Sequence, residues 1–537
     1  MITPVHMIVA PILIPLVAGA IMLLYDERQR QLKLGIGIAS CVLQIIVASI
    51  LILRAGASDT EAVSLYLLGD WASPFGIVLV LDRLSAVMLL LGSLVALPAL
   101  IYSGAVWHKN GQHFAPLFQF MLMGVNGAFL TGDLFNLFVF FEVTLAASYG
   151  LMLHGSGRER VGAGMHYIAV NLLAAMMFLL GVALIYGVVG TLNMADLATR
   201  IGRLSEADRP LIHAAAAILA GAFLVKAAMW PLCFWLPSTY SAAAPPVAAL
   251  FAILTKVGVY VVIRLGLLLF GHDTGLSAAF GADVLVIGGL ATIFFGMVGI
   301  LASQNLQRMA SNLVMVSSGT VLTVIGFAMT DGNTALLSSA LYYMFASTLA
   351  ISGLFLLVEP IERKEGGIAG VLAVTAEAYG IEMDEEENEA ETGVVIPGAT
   401  TILGISFMAF VIVASGLPPL AGFVGKFGMM AGAVSMTEGN HLWAPWLFVG
   451  LLVVSGFATL VAMVRWGIQS LWANDDEPPL SMMEILALLM LVASLVFLTV
   501  KAEPAMRYLQ KTAVGLTHSG VYIGKVMTAP SVGGNGQ

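Results

Sequence analysis

Four charged residues lie inside long apolar stretches of the sequence, and together they predict ion-transfer chemistry. They are Glu142 in FVFFEVTLAASYG, Lys226 in FLVKAAMWP, Lys256 in AILTKVGVY and Lys426 in AGFVGKFG. An ionised residue in the middle of a membrane helix costs about 2.5–3.5 kcal/mol, so four cost on the order of 10 kcal/mol before any pairing. Buried carboxylates and amines can take up and release protons. Such a role would explain why the sequence keeps these charges despite their energetic cost.

Pairing among these charges leaves two interpretations. In the first, each lysine pairs with a carboxylate and fixes helix packing. In the second, at least one lysine changes its protonation state and relays a proton. The second is favoured because three lysines share one equally deep carboxylate, Glu142, so complete pairing is impossible. Glu142 then acts as a switchable partner that holds a lysine charged until the pair opens.

Two weaker candidates lie near the ends of apolar stretches. Asp133 precedes Glu142 by nine residues and is either a proton-uptake group or an interfacial charge; both interpretations stay open. His213 is a possible accessory group, although a lone histidine on an apolar face more often packs and hydrogen-bonds. Arg264, close to the end of its apolar stretch, is expected to extend to the membrane interface.

The elements that must position these residues are membrane-spanning helices. The sequence has 537 residues, of which 59% are hydrophobic and 10% charged, whereas an average soluble domain is about 25% charged. Apolar runs of about 20 residues, long enough to cross a membrane, recur throughout. We therefore predict an all-α polytopic membrane protein with fourteen spans, at 8–25, 34–54, 77–101, 115–131, 134–153, 164–187, 211–236, 246–269, 282–301, 309–329, 334–358, 397–434, 446–465 and 482–500.

Two of these spans are predicted to be broken. Pro231 and Pro237 interrupt the seventh span, and Gly416, Pro418 and Pro419 interrupt the twelfth, each beside a membrane lysine. Spans four to eight and nine to thirteen each contain five helices with the broken helix fourth, which indicates two inverted repeats. Unwound backbone at such breaks exposes carbonyl and amide groups to internal water.

The repeats suggest a division of the chain and an orientation. The predicted parts are the first three spans (1–113), the first repeat (114–270), the second repeat (281–465), and the last span with its tail (466–537). The tail after residue 501 is amphipathic and either docks on a neighbour or has no fixed structure. Short loops after odd-numbered spans are rich in Lys and Arg, which places them inside the cell and both termini outside. Arg200, Arg203 and Arg209 oppose this assignment without reversing it.

Several classes of function are disfavoured. Cys41 and Cys233 are far apart and no Cys/His spacing suggests zinc, haem or an iron–sulfur cluster, so neither metal nor cofactor is expected. The formal charge of −9 comes largely from a loop, 359–393, containing the acidic run Asp384–Glu387, and we predict that this loop is solvated. No basic stripe suggests nucleic acid.

At these residues the sequence resembles the antiporter-like subunits shared by respiratory complex I, membrane-bound hydrogenases and Mrp-type cation/proton antiporters. The resemblance covers about residues 60 to 500 and implies that the family's translocating residues correspond to Glu142, Lys226, Lys256 and Lys426. The segments that most resemble the D subunits of Mrp-type sodium/proton antiporters are TGDLFNLFVFFEVTLAASYGLMLHG, YGVVGTLNMADLA and LVKAAMWPLCFWLPSTYSAAAPPVAALFAILTKVGVYVVIR.

This resemblance implies a fourteen-helix subunit in a prokaryotic cell membrane, bound to lipids and to the other Mrp subunits. It also implies a secondary transporter that exchanges sodium for protons and is not an enzyme. Many relatives carry a histidine, and some also a lysine, in the eleventh helix, where this chain has Ala346 and Ile351 at the aligned positions. The central relay is therefore expected to use water or the hydroxyls of Ser347 and Thr348.

Two alternative functions remain. A proton-pumping membrane subunit of a complex I-like or hydrogenase enzyme would use the same four residues but draw its energy from electron transfer. A purely structural scaffold would use the charges for assembly alone.

Overall fold

The chain is described here by a computed structural model that covers residues 6–57, 62–107, 111–365, 398–436, 443–472 and 480–529. Within these ranges it is almost entirely helical. Twelve of the helices are long and apolar enough to cross a membrane, and three shorter apolar helices accompany them. The acidic run Asp384–Glu387 lies outside the described residues.

The helices of the first half follow the predicted order of spans. They are α1 (Ala10–Leu23), α2 (Arg30–Gly56), α3 (Arg83–Ser103), α4 (Phe114–Leu130), α5 (Leu134–Met152), α6 (Arg158–Val189), the short α7 (Met194–Ile201), α8 (Arg209–Lys226), the short α9 (Leu236–Ala242) and α10 (Pro245–Phe270).

The second half continues in the same way and adds two helices after the last predicted span. These helices are α11 (Ala282–Ala302), α12 (Leu306–Asp331), α13 (Thr334–Glu365), α14 (Gly398–Ser415), α15 (Ala421–Val434), α16 (Trp443–Gly467), α17 (Met482–Val500), α18 (Ala502–Thr517) and α19 (Gly520–Met527).

A small antiparallel hairpin departs from the all-helical prediction. Strand β1 (Ser64–Leu67) pairs with β2 (Val78–Leu81), so the helix predicted from residue 77 begins only at Arg83. Hydropathy did not separate strand from helix because the apolar run IVLVLD continues directly into α3. The boundary is set by Asp82, whose side chain accepts a hydrogen bond from the Ser85 backbone amide at 2.9 Å in a capping box.

The hairpin, α7 and the C-terminal helices gather at one end of the helical bundle, which we call the hairpin face. Thr131 bridges to β2 and Asp133 bridges to Asn193 just before α7. Helix α18 packs on α13, α3 and α10, and α19 packs on α7. The described part of the tail is therefore helical and bound to its own chain, an arrangement that differs from both sequence-based alternatives.

The centre of the bundle is α10, which carries Lys256. All of its most apolar stretch is buried, and α3, α12 and α13 are nearly as enclosed. By contrast, only about a third of the corresponding stretch of α6 is buried. Lys256 is therefore surrounded by protein and not by lipid.

Both predicted interruptions separate two helices in the structure. Helix α8 ends at Lys226, and α9 begins only at Leu236. Helix α14 ends at Ser415, and α15 begins at Ala421 after Gly416 with φ +79°. A Cβ atom on Gly416 would lie 2.4 Å from Cδ of Lys426, so this turn requires glycine.

Candidate ion-translocation site

The first cluster joins three helices around a very small cavity. Lys226, the last residue of α8, donates a hydrogen bond from Nζ to Asn171 Oδ1 of α6 at 2.8 Å. Glu142 of α5 lines the same cavity of about 10 Å³, together with Phe141 and Phe178. That volume is about the space for one water molecule. Among the described residues, the buried Oε1 of Glu142 has no hydrogen-bond partner.

The cavity therefore holds an acid and an amine that share space without direct contact. One water molecule there would accept from Lys226 and donate to Glu142, which is the arrangement needed to pass a proton between them. The aromatic ring of Phe141 lies beside the amine, with its centroid 5.7 Å from Lys226 Nζ. Sequence reasoning identified both charges but missed Asn171.

The second cluster is a chain of hydroxyl groups around Lys256. Its Nζ donates to Ser317 Oγ at 2.8 Å and to Ser318 Oγ at 3.1 Å, both on α12. Ser317 in turn lies 2.8 Å from Ser347 Oγ of α13. Thr348 instead donates to the Met344 carbonyl of its own helix at 2.6 Å. The structure thus connects Lys256 to Ser347 through a residue that the sequence-based expectation did not include.

Lys426 has different surroundings. Its Nζ donates to the carbonyl oxygen of Ser415, the last residue of α14, at 2.9 Å. The Tyr343 ring of α13 lies 5.9 Å away, measured from Nζ to its centroid. In the described part of the chain this lysine forms no ion pair with a carboxylate. Its partner is a backbone dipole that becomes available because the helix is broken.

The two accessory candidates have local partners. Asp133 caps α5 by accepting a hydrogen bond from the Asn136 amide at 2.9 Å, and burial raises the pKa of its carboxyl group. His213 lies 3.1 Å from Ser277 Oγ through Nε2 and stacks on Phe280, with ring centroids 4.1 Å apart. These contacts are typical of a helix cap and of a packing histidine.

Arg264 does not extend to the membrane interface as expected. It is buried and forms a two-armed ion pair with Asp82, with nitrogen–oxygen distances of 2.5 and 2.8 Å. The guanidinium also packs over Tyr522 of α19 at 5.2 Å from the ring centroid. Although burial alone raises the pKa of Asp82, Arg264 brings that pKa below its usual value. The pair ties α3, α10 and α19 together at the hairpin face.

A second charged cluster stabilises the opposite end of the bundle. Arg363 of α13 pairs with the fully buried Glu484 of α17 and, at 3.1 Å, with Glu359. The indole nitrogen of Trp107 donates to Glu359 at 2.7 Å. The sequence showed these charges at predicted span ends but did not indicate that they meet.

Comparison with known proteins identifies the family of the chain. Residues 131–455 match the family model described as NADH:quinone oxidoreductase/Mrp antiporter, transmembrane. The chain is 50% identical over 537 residues to the D subunit of a probable K⁺/H⁺ antiporter from Rhizobium meliloti strain 1021, covering 98% of each chain. It is 31% identical to the D subunit of an Na⁺/H⁺ antiporter from Alkalihalophilus pseudofirmus OF4, covering 97% of this chain and 99% of the relative.

Solved structures show the same fold at low identity. A chain of the Mrp complex from Dietzia sp. DQ12-45-1b superposes with a TM-score of 0.81 at 24% identity, covering 98% of this chain and 100% of that one. A chain of Thermus thermophilus respiratory complex I superposes with a TM-score of 0.73 at 21% identity, covering 97% and 99% respectively. The chain belongs to the NADH:quinone oxidoreductase/Mrp antiporter transmembrane family and, within it, to the D subunits of Mrp-type antiporters.

Proposed function

We propose that this chain is the proton-translocating subunit of a hetero-oligomeric antiporter that exchanges protons for a monovalent cation. The observation that carries the proposal is the shared cavity of Glu142 and Lys226, in which a buried carboxylate oxygen has no partner among the described residues. The chain is a secondary transporter and makes or breaks no covalent bond. The names of its relatives support exchange as the activity.

The exchanged cation is sodium or potassium. The sequence resemblance favours sodium, whereas the relative with 50% identity is named as part of a probable K⁺/H⁺ antiporter. Relatives named Na⁺/H⁺ antiporter subunits are 31% and 32% identical. The proposal therefore includes both ions and assigns the choice between them to a flux measurement.

The proton path runs from Glu142 and Lys226 to Lys256 and then to Lys426. Lys226 and Lys256 lie on neighbouring helices, α8 and α10, that are in direct contact. A Cβ atom added at Gly258 of α10 would lie 3.0 Å from the Lys226 Cβ. Each serine hydroxyl accepts one proton while it donates another, so Ser317 and Ser347 can carry the relay beyond Lys256. Internal water completes the remaining steps, including the one to Lys426.

The proposal includes a specific architecture. Counting α8 with α9 and α14 with α15 as single broken spans gives fourteen spans, with the repeats at 114–270 and 281–465. Loops after even-numbered spans share the hairpin face, which supports a consistent alternation across the membrane. Both termini lie on the outer side of a prokaryotic cell membrane.

The protein works with the other Mrp subunits and with membrane lipids. The relatives are named as subunits, and one structural neighbour is part of an Mrp complex, which supports a hetero-oligomer. Large apolar side chains such as Leu173, Met176 and Phe457 are exposed on the outside of the bundle. These surfaces suit lipid and neighbouring helices.

The test is cation-driven proton flux in membrane vesicles that contain the whole complex. Glu142→Gln and Lys226→Ala are compared with wild type and with Lys501→Ala, an exposed lysine at the hairpin face. We expect both the Glu142 and the Lys226 variant to abolish flux driven by sodium or potassium while the complex stays assembled and the control stays active. Flux that survives in both variants would overturn the relay assignment.

The same assay separates the redox alternative. A proton-pumping subunit of a redox enzyme would move protons only when an electron donor is added, and a cation gradient alone would not drive them. Loss of assembly with normal flux per assembled complex would instead support the scaffold interpretation.

A further inference from the structure

We propose that the hairpin face carries a binding site for one divalent transition-metal ion of the zinc class, formed by His272, Asp273 and His518. One ligand atom from each residue lies within 4.8 Å of the other two. Two imidazole nitrogens and a carboxylate oxygen are a donor set that suits Zn²⁺ and similar ions. The site is outside the proton path and does not depend on the proposed function.

The distances are already close to those of a metal site. His272 Nε2 and Asp273 Oδ1 are 3.0 Å apart. Ligand atoms bound to tetrahedral zinc at about 2.0–2.1 Å lie roughly 3.3 Å from each other, so this pair has nearly the required spacing. The two histidine rings meet edge to face, with centroids 5.9 Å apart. A small rotation of the exposed His518 side chain closes the third side of the site.

The backbone presents His518 to the other two ligands. It is the residue at which α18 ends, with φ −112° and ψ 81°, before the chain turns into α19. Its Nδ1 lies 3.1 Å from the Thr517 hydroxyl, which leaves Nε2 available as the ligand atom. A hydrogen bond on one ring nitrogen is a common way to orient a histidine ligand.

The three ligands leave a fourth tetrahedral position open to solvent, because Asp273 and His518 are exposed. Such a three-ligand site is expected to bind zinc more weakly than a closed four-ligand site. The bound ion would cross-link the connection after α10 to the turn between α18 and α19. No sequence motif marks the site, because its ligands come from distant parts of the chain.

The first test counts zinc in the purified whole complex, isolated through a tag without histidine and dialysed against micromolar Zn²⁺. We expect His272→Ala and His518→Ala each to contain one zinc equivalent less than wild type. His166→Ala is the matched control, because His166 is an exposed histidine on α6 outside the cluster. It is expected to bind as wild type does. Asp273→Asn should weaken binding several-fold without abolishing it.

A second measurement covers variants that assemble poorly. Zinc should raise the thermal stability of the wild-type complex, because a ligand that binds only the folded form stabilises it. The conservative variants His272→Gln and His518→Gln should lose this rise while melting normally without zinc. Two results would overturn the proposal and show that the three residues are ordinary polar surface groups. One is equal zinc content in the wild type and in the alanine and glutamine variants. The other is an unchanged zinc-induced rise in thermal stability in the glutamine variants.

Discussion

The two broken helices hold their lysines in different ways. Lys226 lies at the end of the half-helix before its break, bonds to a side-chain amide and shares a cavity with Glu142. Lys426 lies within the half-helix after its break and bonds to a backbone carbonyl. A carboxylate can change its charge, whereas a carbonyl dipole is fixed. We infer that the first break controls the protonation of its lysine and that the second only provides a site along the path.

The largest expected effect tests this difference directly. Lys226→Ala should reduce proton flux by about 100-fold or more, because it removes the amine that exchanges a proton with Glu142; a 100-fold loss corresponds to a barrier higher by about 2.7 kcal/mol. Lys426→Ala should reduce flux by only about 10-fold, since water can replace an amine beside a carbonyl dipole. Vesicle flux at matched assembly measures both. Equal losses would remove the distinction between the two breaks.

A smaller effect is expected in the hydroxyl chain that joins the two regions. Ser317→Ala breaks the link between Lys256 and Ser347, while Ser318 still holds the lysine. A hydrogen bond to a charged group contributes about 1.5–3 kcal/mol. Because Ser318 keeps the second bond, we expect the lower end of this range, a fall in flux of about 10-fold. Thr348→Val is the matched control, because this hydroxyl bonds to its own helix. If Thr348→Val were as slow as Ser317→Ala, the relay would not run through Ser317.

The amide partner of Lys226 gives a still smaller effect. Asn171→Ala should lower flux by about threefold, because one hydrogen bond is lost and a water molecule can replace it. Asn171→Asp should be slower than Asn171→Ala, since a second carboxylate would hold Lys226 charged in both states. The measurement is flux for the two variants in parallel. An aspartate variant as fast as wild type would argue against control by the charge of this lysine.

The smallest effect on flux concerns the ion pair outside both breaks. Asp82→Asn should leave flux within about twofold but lower the thermal stability of the complex, because Arg264 stays buried without its carboxylate. The double variant Asp82→Asn with Arg264→Met should recover part of the lost stability. Melting temperatures of the single and double variants test this. A single variant that melts normally would show that the pair does not hold the C-terminal helices.

The sequence predicted the features that hydropathy and charge make visible. Four charges inside apolar runs, and prolines beside two of them, stand out without any structure. Asn171, Ser317 and Ser318 were missed because a neutral polar residue in an apolar helix looks the same whether it packs or binds a lysine. The hairpin was missed because a short apolar strand that continues into an apolar helix has no separate signal.

The errors at the hairpin face have a related cause. Arg264 lies near a predicted span end, where an exposed position is the ordinary expectation, and only the fold shows that Asp82 and Tyr522 enclose it. The tail was predicted to dock on a neighbour or to have no fixed structure, because its partners within the chain are on α3, α10 and α13, far away in the sequence. Pairing between distant segments cannot be deduced from the local pattern of either one.

The enclosure of α10 also has a consequence for biogenesis. The hydroxyl partners of Lys256 lie 61 and 62 residues further along the chain. Because the ribosome makes the chain from its N-terminus, Lys256 is synthesised before α12 exists to receive it. The nascent α10 therefore lacks these two hydroxyl partners until α12 has been made. The full enclosure of Lys256 is thus expected only after α12 and α13 have packed on α10.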